Sequence, residues 1–133
     1  MPKQIINPPQ LVPPRGFNHG ILASGGRVLF LAGQDASDSN GRIVSPGDLV
    51  AQYEQVLHNL QAVVEEAGGA MRDIVKLNIF VKDRDEYVAK LRELGRIHKR
   101  YFGEYYPTMA LFEVTGFFQE ENLVELEGFA YLE

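Results

Sequence analysis

The chain has 133 residues, 45% of them hydrophobic, which is enough for one domain with its own core and too apolar for wholesale disorder. Thirteen Lys and Arg against 18 Asp and Glu leave a formal charge of −5, which opposes binding to phosphate backbones and argues against nucleic acid as a partner. There is no cysteine, so disulfides, thiolate metal sites and cysteine nucleophiles are excluded.

The opening MPKQIINPPQLVPPRG has no apolar stretch of signal-peptide length, and the strongest apolar run, residues 28–32, is far too short to span a bilayer. The expectation is a cytoplasmic protein with no membrane partner, a single domain over 1–133 that begins with an extended arm at 1–15. Pro8, Pro9, Pro13 and Pro14 disfavour any helix in that arm. GILAS and RVLFLAGQ flank Gly25-Gly26, a dipeptide suited to a tight turn, and predict an antiparallel hairpin of strands at 19–24 and 27–33. DASDSNGRIVSPG reads as a loop.

Ser45-Pro46-Gly47-Asp48 predicts a helix start with Ser45 as N-cap and Pro46 in the first turn. Leu49, Tyr53, Val56, Leu57, Leu60, Val63, Val64 and Ala67 then recur at spacings of three and four until Gly68-Gly69, with Gln52, Gln55, Asn59 and Glu66 on the polar side. Residues 73–82 alternate as a strand, with Val75, Leu77, Ile79 and Val81 on one face and Lys76, Asn78, Phe80 and Lys82 on the other. A second amphipathic helix carries Tyr87, Leu91, Leu94, Ile97 and His98 and closes at Gly103. YYPTMALFEV (105–114) predicts a strand with Met109, Leu111 and Glu113 opposite Ala110, Phe112 and Val114. NLVELEGFAYLE supplies the last strand, with Glu125, Glu127 and Phe129 on one face and Val124, Leu126 and Ala130 on the other.

The order β-β-α-β-α-β-β predicts an α+β fold in which two helices pack on one face of a single mixed sheet. Both faces of the last strand are substantially apolar, so the uncovered sheet face is expected to be covered by other subunits.

Four segments, GGRVLFLAGQ, QVLHNLQAVVEEAGGAMRDIVKLNIFVKD, YFGEYYP and LVELEGFA, together resemble the reactive-intermediate deaminase (RidA/YjgF) family, formerly called L-PSP endoribonucleases. The similarity runs from about Gly16 to the end. It implies a chorismate-mutase-like fold, a homotrimer, and clefts between subunits that bind a small-molecule metabolite. In active deaminases of that family the strand after the proline looks like P-A-R-S-x-V-E-V, and its arginine clamps the carboxylate of a 2-aminoacrylate-like enamine or imine. Aligning on Pro107 and Glu113-Val114 puts Met109 at the arginine and Leu111 just beyond. A thioether cannot make the charge-assisted bonds of a guanidinium, worth roughly 1.5 to 3 kcal/mol each. The family glutamate that holds the attacking water matches Glu125, the glycine of the SGQ turn matches Gly33, and the tyrosine of the early GPY motif falls at or near His19. The second helix carries about one extra turn relative to the family pattern, so no residue is carried over from it.

Each candidate has two readings. Glu125 beside Glu127 is either a carboxylate pair with a raised pKa, one member acting as general base on water, or a solvated strand face. His19 is either a proton donor to a leaving amine or a loop histidine bonded to a neighbouring carbonyl. Met109 and Leu111 either floor an apolar ligand pocket or pack a subunit interface. Arg15 is either a replacement carboxylate clamp or a solvated side chain. His58 and His98 read as packing or surface residues, and no His spacing suggests a metal. Neither a phosphate loop nor a Gly-x-Ser-x-Gly elbow is present, so no metal and no cofactor are expected.

Function then divides three ways: an imine or enamine hydrolase using Glu125, a metabolite-binding or sensing trimer without turnover, and, from the old family label, an endoribonuclease or translation inhibitor. The charge and the lack of a basic aromatic patch count against the last.

Overall fold

The computed structural model describes residues 3–133. Its strands are β1 (Lys3–Ile6), β2 (Gly20–Ala23), β3 (Arg27–Gln34), β4 (Ile74–Val81), β5 (Thr108–Glu113) and β6 (Val124–Leu132). Its helices are α1 (Leu49–Glu66), α2 (Arg84–Ala89) and α3 (Leu91–Phe102), with a 3₁₀ turn at Met71–Asp73. A four-stranded mixed sheet runs in the order β3-β6-β4-β5: β6 is antiparallel to β3 and β4, and β5 is parallel to β4. This is the predicted α+β arrangement.

The hydrophobic alternation sets which face is covered. Leu77, Ile79 and Val81 of β4 pair with Gly128, Leu126 and Val124 of β6, and all three β4 residues are buried under the helices. Helix α1 turns Leu49, Tyr53, Val56, Leu57, Leu60 and Val64 onto this face. Truncating a fully buried leucine such as Leu57 to alanine would cost about 2–5 kcal/mol. Val75 drops out of register between Ile74 and Lys76, a bulge that lets Ile74 join the core.

The other face carries Phe80 of β4, Glu125, Glu127 and Phe129 of β6, Val28 and Phe30 of β3, and Ala110 and Phe112 of β5. Phe30 meets Phe129 edge-on at 5.3 Å and Phe80 stacks on Phe112 at 5.5 Å. Phe30 is nonetheless 74% exposed, Phe112 47% and Phe129 40%, so nothing among the described residues covers this face.

Three local expectations are corrected. The hairpin across Gly25-Gly26 does not form: β2 pairs with β1, and β3 pairs with β6. The arm before the prolines therefore contains a strand, anchored where the Lys3 ammonium meets Asp73 at 3.0 Å. The N-cap of α1 is Asp48, whose side chain accepts from the Ala51 N–H at 3.1 Å, while Ser45 takes a left-handed φ of 45° one turn earlier. Gln52 is buried because it links two loops, donating to the Ser45 and Glu121 carbonyls and accepting from the Leu123 N–H at 2.8 Å. The second helix is also broken at Lys90 into α2 and α3.

Candidate functional site

Two groups of the expected site residues come together, on opposite faces of the sheet. The first lies on the open face. Leu31 pairs with Gly128 but Gln34 with Leu126, so Ala32 and Gly33 oppose the single residue Glu127 in a bulge. The missing side chain of Gly33 is what admits Glu125: a Cβ there would stand 2.3 Å from Glu125 Oε2 and 3.1 Å from its Cδ.

Burial raises the Glu125 carboxyl above its usual 4.5, and the negative charges of Asp35 and Glu127 push it the same way. Asp35 is held in its loop by the Ser37 hydroxyl and N–H, at 2.5 and 3.1 Å. Glu127 accepts from Asn78 Nδ2 at 3.3 Å. Among the described residues no salt bridge reaches Glu125, so nothing cationic offsets the repulsion. The group therefore takes up a proton more readily than an ordinary glutamate, which a general base on water requires. Asp35 was read only as part of a loop; its place beside Glu125 depends on the bulge, which has no sequence signal of its own.

The second group lies at the β5 edge, on the side of the helices. Met109 pairs with Leu77 and Leu111 with Ile79, and both line a pocket of ≈ 210 Å³ with Gly16, Phe17, Ile79 and Ala110. The loop that closes it is tied down by Asn18, whose side chain donates to the Tyr106 carbonyl at 2.7 Å and whose N–H donates to that of Pro107 at 3.1 Å. Strand β4 separates this pocket from Glu125 within one chain.

His19 sits in the same loop, edge-on to Phe17 at 5.1 Å, and its Nε2 lies 2.7 Å from the Val12 carbonyl. A carbonyl only accepts, so that nitrogen carries a proton spent on the loop. Arg15 is exposed, and among the described residues no carboxylate pairs with it. Glu113, which shares the Met109 face, accepts from the Arg84 N–H at 2.8 Å and so holds the first turn of α2.

His98, read as a packing or surface residue, is buried and stacked between Phe102 and Tyr106 at 4.4 and 4.5 Å. With Tyr53 and Tyr87 it lines a separate cleft that sequence reasoning missed. The available signal was the tyrosines themselves: on a buried helical stripe each brings a hydroxyl that needs a partner. His58 is exposed on α1. Among the described residues no three His, Asp or Glu side chains converge as a metal site, and no helix is long and apolar enough to cross a membrane.

The family model described as Endoribonuclease L-PSP matches residues 10–132. A RutC family protein of Pyrococcus horikoshii is 34% identical over 134 residues, covering 98% of this chain and 99% of its own. A second, from Pyrococcus abyssi, is 34% identical over 108 residues and 81% of each chain. Among solved structures, YyfB of Yersinia pestis, described as a protein of unknown function in the conserved Rid family, superposes with a TM-score of 0.89 at 35% identity, over 99% of this chain and 100% of that one. The chain belongs to the L-PSP family, the RidA/YjgF proteins that its sequence resembles.

Proposed function

We propose that the protein is a cytoplasmic, single-domain RidA/YjgF-type hydrolase of a small imine or enamine that lacks a carboxylate, working in clefts between the subunits of a homotrimer. The observation that carries this reading is the Glu125 carboxyl, seated on the bare Gly33 backbone and raised in pKa by burial and two acidic neighbours. Glu125 takes a proton from water as the oxygen attacks the C=N carbon. It passes that proton to the nitrogen to give the carbinolamine, then takes the carbinolamine's hydroxyl proton and delivers it to the nitrogen as the C–N bond breaks, so imine and water give carbonyl compound and ammonia or amine.

Assembly is part of the proposal because the two half-sites of one chain lie on opposite faces of its sheet. A neighbouring chain would bring its Met109 and Leu111 pocket to the Glu125 and Gly33 of this one, with His19 holding the loop beside it. The apolar open face around Phe30 and Phe129 supports such burial. An aldimine or ketimine panel coupled to ammonia detection tests the chemistry. Turnover is expected with uncharged substrates and should be abolished by Glu125→Gln; activity surviving that substitution would sink the mechanism.

Met109 favours a second reading, a trimer that binds or senses an apolar metabolite without turnover. Met109→Arg separates the two. Gain of activity on 2-aminoacrylate would mean that only the carboxylate clamp was lost, and no gain would mean that the pocket has diverged more widely. The family description also raises RNA cleavage. With a charge of −5, neither binding nor cutting is expected when the protein is incubated with RNA at low salt.

A further inference from the structure

Gly95 lies inside α3, where glycine destabilises a helix relative to alanine. Its backbone gives no reason for the choice, because it is not among the glycines of positive φ, and neither does packing, because a Cβ there would meet nothing within 4 Å. What the glycine does leave open is the edge of a cleft of ≈ 250 Å³ enclosed by the three helices and the start of β5.

The break at Lys90 turns α2 so that Tyr87 faces Tyr53 of α1, ring edge to ring face at 6.5 Å. Leu94, His98 and Tyr106 complete the walls. Among the described residues no Asp, Glu, Lys or Arg lines the cleft. Burial keeps both phenols protonated, pushing Tyr87 up to about 12 and Tyr53 well above its usual range. His98 donates from Nε2 to the Tyr105 carbonyl at 2.9 Å, and burial lowers its pKa, so the neutral ring keeps an accepting lone pair on Nδ1. The Tyr53 and Tyr87 hydroxyls bond to each other, so the cleft offers flat aromatic walls, the remaining donor and acceptor capacity of that hydroxyl pair, and no counter-ion.

We propose that this inner cleft is a second small-molecule site, for one uncharged aromatic ring bearing a hydroxyl group. A cavity of about 150 Å³ already accepts benzene, so the volume suits a substituted single ring. A carboxylate or ammonium would be buried without a partner and is excluded by that cost. Met109 and Gly16 line both this cleft and the outer pocket, so the occupant sits back to back with whatever the outer pocket holds. The proposal does not depend on turnover at Glu125.

Titration of the full-length protein with p-cresol, toluene and p-hydroxybenzoate, followed by ligand-observed NMR, tests it. p-Cresol is expected to bind once per chain, toluene at least about 3-fold more weakly for want of a hydrogen bond, and the benzoate not at all. Gly95→Leu should weaken p-cresol at least about 10-fold without lowering the melting temperature, since leucine is the better helix former. Tyr53→Phe should erase the preference for p-cresol over toluene, and it decides the matter if the leucine variant fails to fold. Glu125→Gln should leave p-cresol affinity unchanged, which keeps this result separate from the fate of the hydrolase reading. No p-cresol binding at millimolar concentration, or equal affinity in wild type and both cleft variants, would overturn the proposal.

Discussion

Glu125 is held where its ionised form is disfavoured, and that has a consequence for stability. Folding favours the protonated acid, so the group's contribution is fully present below its ordinary value of 4.5 and is lost as pH rises through the raised folded-state value. Glu125→Gln is therefore expected to melt at a higher temperature than wild type near pH 7, with the gap closing by about pH 4; thermal melts across that range check it. His98 runs the other way. Its pKa is lowered from 6.5 by burial, so stability is full above that value and falls as pH drops below it toward the folded-state pKa. Gly33→Ala tests the contact beneath Glu125. The clash falls on the end of a flexible side chain, so the variant should fold at a cost of under about 1 kcal/mol while displacing the carboxylate, visible as an altered Glu125 titration by NMR. At this scale the sequence was legible where chemistry is local. Glu125, Gly33 and Met109 were nameable from their motifs, whereas Asp35 and the Tyr53–Tyr87 pair were not, because their partners lie far off in the chain.

At the scale of elements, periodicity located α1, β4, β5 and β6, and the predicted strand faces match the observed ones except at Val75, which the bulge removes from the alternation while Ile74 takes the core position. Their ends and partners were harder to read. Asp48 rather than Ser45 caps α1, because Ser45 is already committed to a left-handed turn. Asp48→Ala should cost about 0.5–2 kcal/mol in urea denaturation, and Ser45→Gly should cost nothing, since glycine suits the positive φ. The apparent hairpin failed for a topological reason: β3 finds a longer apolar partner in β6, nearly a hundred residues away in sequence, and leaves β2 to β1. The close approach of β6 to β4 is a stricter constraint still. A Cβ on Gly128 would stand 1.7 Å from the Lys76 carbonyl oxygen, a backbone atom that cannot rotate aside. Gly128→Ala is expected to cost more than about 4 kcal/mol or to prevent folding, measurable by soluble yield and denaturation midpoint.

For the whole molecule, the proposed function needs a neighbouring chain to cover the open sheet face and to complete the site. Sedimentation equilibrium should give about 45 kDa, three chains of 14.9 kDa each. Phe30→Asp, which puts a charge on the uncovered face at a side chain 74% exposed in the single chain, should shift the mass toward a single chain without unfolding it; an unchanged trimer would place the interface elsewhere. The amino-acid sequence by itself determined the α+β class, the family and the helix-facing core, because hydrophobic period and motif spacing are local properties. Tertiary structure alone decided that Glu125 and Met109 face opposite ways and that β1 pairs with β2. It also decided that the broken second helix opens an aromatic cleft. Those outcomes depend on strand order and register, which arise from contacts between residues far apart in the chain.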